Sequence, residues 1–267
     1  MRNRIAVVAL ILPALGFCFP PGSPMSEFGP SQVSLGAFFD HSGQDLYEEA
    51  YPSVLNTTGL SLDYGPWSFI QLGVFGGGGE LDVAVPDSKA ADTSLHAYNT
   101  DYSLYGGGSA KLATPRFASN TTRLVAFGSA AYLMSSDALG NSKTPIIYNA
   151  GASVQFMLWD KLNFVLGGEF YAWDGTQKSA KDVEMPFGLN APTGVMDYMR
   201  GLVGVEYFFQ GKNRPFISVS FRPTGNIGWH DELGLRNGSI AISLGAMATL
   251  GKNKPDGGDD EPAMVDQ

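Results

Sequence analysis

The chain is poor in cysteine, histidine and charge. Its one thiol, Cys18, excludes a disulfide framework and cannot build a zinc site by itself. Charged residues make up 16% of the 267 residues, against about 25% in an ordinary soluble domain. The shortfall is largest on the basic side, with 17 Lys and Arg against 26 Asp and Glu and a net charge of −9. That balance excludes the basic face a nucleic-acid binder needs. Long apolar runs are also missing. After residue 20 the longest is 124–134 (LVAFGSAAYLM), with Gly and Ser inside it, well short of the about 20 residues of a spanning helix. What is plentiful is glycine (34 residues) and aromatic side chains (12%), too much apolar material for a chain disordered throughout.

The first residues read as an export address. Arg2 and Arg4 precede the apolar run 5–12 (IAVVALIL), then Pro13 and Ala14-Leu15-Gly16. A positive start, a short apolar stretch and small residues at a cleavage point are the three parts of a secretory signal peptide, expected here as 1–16. An uncleaved anchor is disfavoured by the shortness of the run, and lipidation at Cys18 by the bulky Phe17 before it. Residues 17–29 form a lead-in. At the other end, 252–267 (KNKPDGGDDEPAMVDQ) is polar and acidic and reads as disordered. An exported chain with no spanning helix is either soluble or a closed β-barrel, the other structure that satisfies its backbone in lipid.

Periodicity decides between them. Side chains on a strand alternate between faces. In 146–159, Tyr148, Ala150, Ala152, Val154, Phe156 and Leu158 oppose Asn149, Gly151, Ser153, Gln155 and Met157. In 161–173, Leu162, Phe164, Leu166 and Phe170 oppose Lys161, Asn163, Gly167 and Glu169. Segments 199–209 and 236–250 alternate as clearly, and 32–40, 57–64, 67–76, 101–112, 123–134 and 215–222 more weakly; in 123–134 neither face is plainly the apolar one. Ten segments of about ten residues, tilted, match an apolar band of roughly 25 Å. The connections also alternate. Residues 41–56, 77–100, 135–145, 174–198 and 223–235 are long or medium; Gly65-Pro66, 113–122, Asp160 and 210–214 are shorter. The expected fold is all-β: a transmembrane antiparallel up-and-down barrel over 30–251 with about 10 strands (8–12).

Aromatic residues gather near the segment ends. Tyr64, Trp67, Trp159, Tyr207, Phe209 and Phe216 would lie at one rim, and Tyr102, Tyr132, Tyr148, Tyr171, Trp173 and Tyr198 at the other. Two belts suit rings with an apolar body and a polar edge. With ten alternating segments, sorted connections and paired belts, the chain resembles the small bacterial outer-membrane β-barrel proteins over about 30–251. The resemblance implies short turns in the periplasm and long loops outside. It also implies a Gram-negative outer-membrane location, and partners in outer-membrane lipid, lipopolysaccharide and the barrel-assembly and periplasmic chaperone machinery. The last segment departs from the family in ending at Leu250-Gly251 where many members carry an aromatic residue.

If the apolar faces meet lipid, the polar faces meet inside. Glycine falls on that inner face in eight segments, at Gly36, Gly59, Gly73, Gly107, Gly151, Gly167, Gly204 and Gly245, where it either lets strands bend and relieves crowding or leaves a path for water. Charges of both signs fall there too: Asp63, Lys111, Lys161, Glu169, Arg200, Glu206 and Arg222, with Glu169, Arg200 and Arg222 at similar heights. Charges in a narrow barrel must pair, so they form either a plug or a selective constriction. The expected function is therefore a structural or small-solute channel role. The alternative is an interaction protein acting through its acidic outer loops.

Catalytic signals are weak. His41, His96 and His230 fall in outer loops without ligand spacing. His230-Asp231 superficially resembles the acid–His pairs of outer-membrane barrel proteases, which are also ten-stranded, but a second acidic pair has no match. Residues 76–79 (GGGG) lack the Lys-Ser/Thr of a phosphate loop, and no GxSxG elbow occurs. No enzymatic activity, cofactor or metal is expected.

Overall fold

The computed structural model describes residues 29–46, 51–84, 98–136, 142–178, 196–210, 213–230 and 234–250. Among these residues there is no helix. Ten long strands alternate with two short ones: β1 (Gln32–Leu46), β2 (Tyr51–Trp67), β3 (Ile70–Val83), β4 (Tyr98–Asn99), β5 (Ser103–Ala113), β6 (Thr122–Leu133), β7 (Ser135–Ser136), β8 (Ser142–Leu158), β9 (Leu162–Lys178), β10 (Met196–Phe208), β11 (Pro215–His230) and β12 (Gly234–Thr249). Each long strand pairs antiparallel with the next, and β1 pairs with β12 from Gln32↔Thr249 to Gly43↔Gly238. That last ladder closes the sheet into a ten-stranded up-and-down barrel. Both ends of the barrel segment and the turns at 68–69, 114–121, 159–161 and 209–214 lie at one end, the terminal end. The opposite ends of the strands define the loop end.

The expected strands are all present, but several run further toward the loop end. β1 continues past Asp40 to Leu46 and β2 begins at Tyr51. β11 and β12 likewise extend to His230 and from Gly234. The reason is physical. The alternating pattern records where the outward face is apolar; beyond that level a hairpin is held by its backbone ladder and needs no apolar face. At the terminal end the turn after β8 takes three residues, with Trp159 and Asp160 both at positive φ (53° and 55°).

The two faces are sorted by burial. Outward, Leu35, Phe39, Leu60, Leu62, Leu72, Val74, Leu104, Leu124, Leu166, Val203, Val219 and Ile242 are all exposed. Inward, side chains fill the lumen in zones. Phe127, Met157, Val165, Leu202, Phe208, Phe216 and Met247 form an apolar cluster toward the terminal end. Phe38, Leu55, Phe75, Leu81, Tyr105, Leu133, Ile147 and Tyr171 belong to a second, toward the loop end. Phe38, Phe75 and Tyr105 meet there ring to ring, with centroids 5.8–6.3 Å apart.

Candidate functional site: the charged lumen

Polar side chains occupy the lumen between and beside these clusters. Seven buried charges and one part-buried one stand out among the described residues: Asp63, Glu169, Glu206 and the part-buried Asp40 against Lys111, Arg123, Arg200 and Arg222. Four acids balance four bases, as a low-dielectric interior demands, since an unmatched charge there costs several kcal/mol.

Asp63 on β2 and Lys111 on β5 are separated by β3, yet Nζ lies 3.9 Å from Oδ1 and both side chains are buried. Gly73 on β3 makes this meeting possible. It stands opposite Asp63 on one side and Ser109 on the other, and a β-carbon there would collide with the Asp63 carboxylate. Gly107 and Gly151 play similar parts, since a β-carbon at either would press on the rings of Phe75 and Phe127. These inner glycines house neighbouring side chains, which is the packing use of glycine rather than the water path.

The larger group centres on Glu169 of β9. It faces Arg200 of β10 across one rung, with Arg200 Nη1 4.0 Å and Arg222 Nε 3.6 Å from its Oε1. Its Oε2 accepts from Asn149 Nδ2 at 3.1 Å, and Ser129 Oγ donates to Asn149 Oδ1 at 2.8 Å. Arg222 Nη1 reaches Asp40 Oδ2 at 3.3 Å, and Ser239 Oγ donates to Asp40 Oδ1 at 2.5 Å. Arg200 Nη2 donates to Ser42 Oγ at 3.0 Å, and its guanidinium lies 3.6 Å over the Tyr171 ring. The chain of contacts thus passes around the wall from β6 to β1. A cavity of about 30 Å³ beside it is lined by Asp40, Ser42, Thr57, Asn149, Arg200 and Arg222, among others. It has room for a water molecule and none for a solute. A larger concavity, about 600 Å³, opens on the outer face, lined by Phe69, Leu112, Leu124, Val154 and Leu166 among others.

Nearer the terminal end, Glu206 accepts from Asn163 Nδ2 at 3.1 Å, and Arg123 Nε donates to Gln155 Oε1 at 2.7 Å. Of the seven charges expected inside, six are buried there. Lys161 is not: it is part-exposed in the turn after β8, because the turn takes it before β9 begins. Asp40 and Arg123 were not expected in the network. Asp40 shares its parity with Gly36, so strand alternation alone assigns it inward. Arg123 lies on a strand whose inward residues Val125, Phe127, Ala131 and Leu133 are themselves apolar, which hides the sidedness.

The aromatic belts need two corrections. Tyr64, Trp67, Trp159 and Tyr207 are exposed at the terminal end, where Trp67 stacks on Phe69 at 6.0 Å and Tyr207 meets Phe209 edge-on at 5.0 Å. Tyr102 and Tyr132 are exposed toward the loop end, and Tyr148 is half-exposed. Tyr171, however, is buried in the lumen under Arg200, since its parity is that of Glu169. Phe216 is buried against Phe208. The side chains of Trp173 and Tyr198 lie outside the described residues, as do His96 and the His230 ring. His41 faces outward, its Nδ1 2.7 Å from Asn56 Oδ1. Among the described residues no three His, Cys, Asp or Glu are grouped to hold a metal.

Outward polarity begins with that pair. Asn56 stands opposite Glu80, and beyond it Asp82 has its pKa raised to about 6, first by burial, then by the charge of Glu80, against a lowering hydrogen bond from the Thr100 backbone. This rung marks the upper limit of the apolar outer face.

No protein-family model matches the chain, and no curated protein is similar to it in sequence. Solved structures resemble it in shape. An outer membrane channel from Pseudomonas putida F1 is 12% identical with a TM-score of 0.48, covering 86% of this chain and 100% of that one. The translocator domain of autotransporter NalP from Neisseria meningitidis is 10% identical with a TM-score of 0.47, covering 92% and 95%. The CymD monoaromatic hydrocarbon channel is 10% identical with a TM-score of 0.35, covering 86% and 94%. At these TM-scores the likenesses bear on nothing that follows.

Proposed function

We propose that the chain is an integral outer-membrane barrel with a structural role, its lumen closed by its own side chains and its long connections presented outside. The carrying observation is the outer face. A closed barrel has no edge strand to hide, and here it exposes large aliphatic residues on nearly every strand from the terminal rim to the His41–Asn56 rung. A soluble monomer rarely exposes an apolar patch beyond a few hundred Å²; hydrocarbon is the solvent that suits such a surface, and barrels are one of two structures able to cross it. A closed ten-stranded antiparallel barrel of this kind fits the small outer-membrane proteins. In that setting the terminal end faces the periplasm, and lipid and lipopolysaccharide are the surrounding partners. The assembly and chaperone machinery of the envelope would deliver the chain after removal of 1–16. No catalytic role is assigned.

Closure follows from the two apolar clusters. Each draws residues from six or more strands, so an ion would have to pass two dry zones as well as the paired charges. A ten-stranded barrel is little wider than an eight-stranded one, which its side chains fill. Refolded protein in a planar bilayer should therefore give no conductance steps. A second reading, a gated small-solute channel, is favoured by the charges themselves, because well-packed apolar residues would fill the same space at equal or better stability. Reproducible conductance steps from the unaltered protein would establish that reading and reject permanent closure.

A further inference from the structure

The barrel wall is not uniformly stitched. Between β10 and β11 the ladder has six rungs, from Phe208↔Phe216 to Val203↔Phe221. Both strands continue toward the loop end, but each is bonded there to its other neighbour. β10 follows β9 as far as Met196↔Trp173, and β11 follows β12 as far as His230↔Gly234. No rung joins residues 196–202 of β10 to 222–230 of β11 among the described residues. The sequence supplies the cause. Pro223 carries no N–H to donate, and the β11–β12 register breaks between Pro223 and Gly228, which bends the strand. At Gly201 the strands still touch, since a β-carbon there would sit 3.3 Å from Pro223 Cγ.

The Glu169 group sits where the strands part. Arg200 is on β10 just beyond the last rung, and Arg222 is on β11 immediately after Phe221. Both guanidinium groups turn to the same carboxylate oxygen on β9. Arg222 also reaches Asp40 on β1, and Arg200 reaches Ser42 on that same strand. Side chains thus tie β9, β10, β11 and β1 together at the height where backbone bonds between β10 and β11 stop. The Asp63–Lys111 pair has no such setting, because the β2–β3 and β3–β5 ladders run unbroken through it.

We propose that the Asp40–Glu169–Arg200–Arg222 group is a clasp that replaces the missing rungs and holds shut a lateral seam between β10 and β11. Releasing it parts the wall in the loop-end half, connecting the cavity beside Arg200 and Arg222 with the outer face, while the terminal half stays closed. That the seam opens toward lipid rests on the membrane reading; the seam and its clasp do not.

Hydrogen exchange read by mass spectrometry on the refolded full chain in detergent micelles tests this. Removal of one partner from a buried charge group is strongly destabilising. Arg222→Ala should therefore speed exchange in 196–202 and 221–224 on the order of a hundredfold, with 203–208 unchanged. Lys111→Met, which breaks an equally buried pair at a height where the backbone rungs on both sides are present, should leave 196–202 at the unaltered rate. Should Arg222→Ala fail to fold, Glu169→Gln removes the shared charge with little change of shape, and the same local acceleration is expected. Unaltered rates in 196–202, or acceleration spread evenly around the barrel, would overturn the clasp. Heat-modifiable gel migration, measured on the same samples, reports separately on whether the chain is a membrane-type barrel.

Discussion

Lys111 shows what a single side chain does in this lumen. Its ammonium group is the counter-charge of Asp63, so Lys111→Met should cost about 3–5 kcal/mol in denaturant unfolding from micelles, most of it the penalty of an unmatched carboxylate. Gly73→Ala should destabilise through the same pair by pushing the Asp63 carboxylate aside. The two changes combined should cost less than their sum, because both break one interaction. Asp82 carries the pH dependence. Its folded pKa, about 6, lies above its ordinary 3.8. The folded state therefore holds the proton more tightly, and the stability this adds is complete below about pH 4 and gone above about pH 6. Exchange at 81–83 and 98–100 should accelerate as pH rises through that window beyond the intrinsic rate change, and Asp82→Asn should remove the excess. Strand parity made six of the seven lumen charges legible. It assigns Asp40 and Tyr171 inward as readily; Tyr171, an aromatic residue near a segment end, reads as a rim residue instead. Arg123 was hidden for a different reason: a lumen plugged partly by apolar residues erases the contrast that periodicity needs.

At the scale of elements, the sequence records an apolar outer face more faithfully than hydrogen bonding. All ten long strands are legible where the outward face is apolar, and their loop-end extensions are not, because residues such as 41–46 and 224–230 alternate in nothing. The thin β10–β11 ladder was equally invisible, since pairing between strands leaves no mark in composition beyond Pro223. The turn after β8 offers a simple test of local geometry. Asp160 holds φ at 55°, a region glycine enters without the steric cost of a β-carbon. Asp160→Gly should raise unfolding stability by roughly 0.5–1 kcal/mol, seen as a higher urea midpoint in micelles. A lower midpoint would mean that the Asp160 side chain supports the turn in a way the φ value does not reveal.

For the whole molecule, the organising fact is an inverted distribution: apolar residues outside, paired charges and two apolar clusters inside. Closure by β1 and β12 leaves no free edge strand, only the short unbonded stretch between β10 and β11; what the barrel needs is a solvent for its exterior. The measurement that tests this most directly is the state of the processed chain with and without detergent, followed by sedimentation and by gel migration of unboiled against boiled samples. The account predicts aggregation in plain buffer, a folded barrel in micelles or liposomes, and a shift in migration on boiling. A monodisperse, folded monomer in buffer without detergent would contradict it.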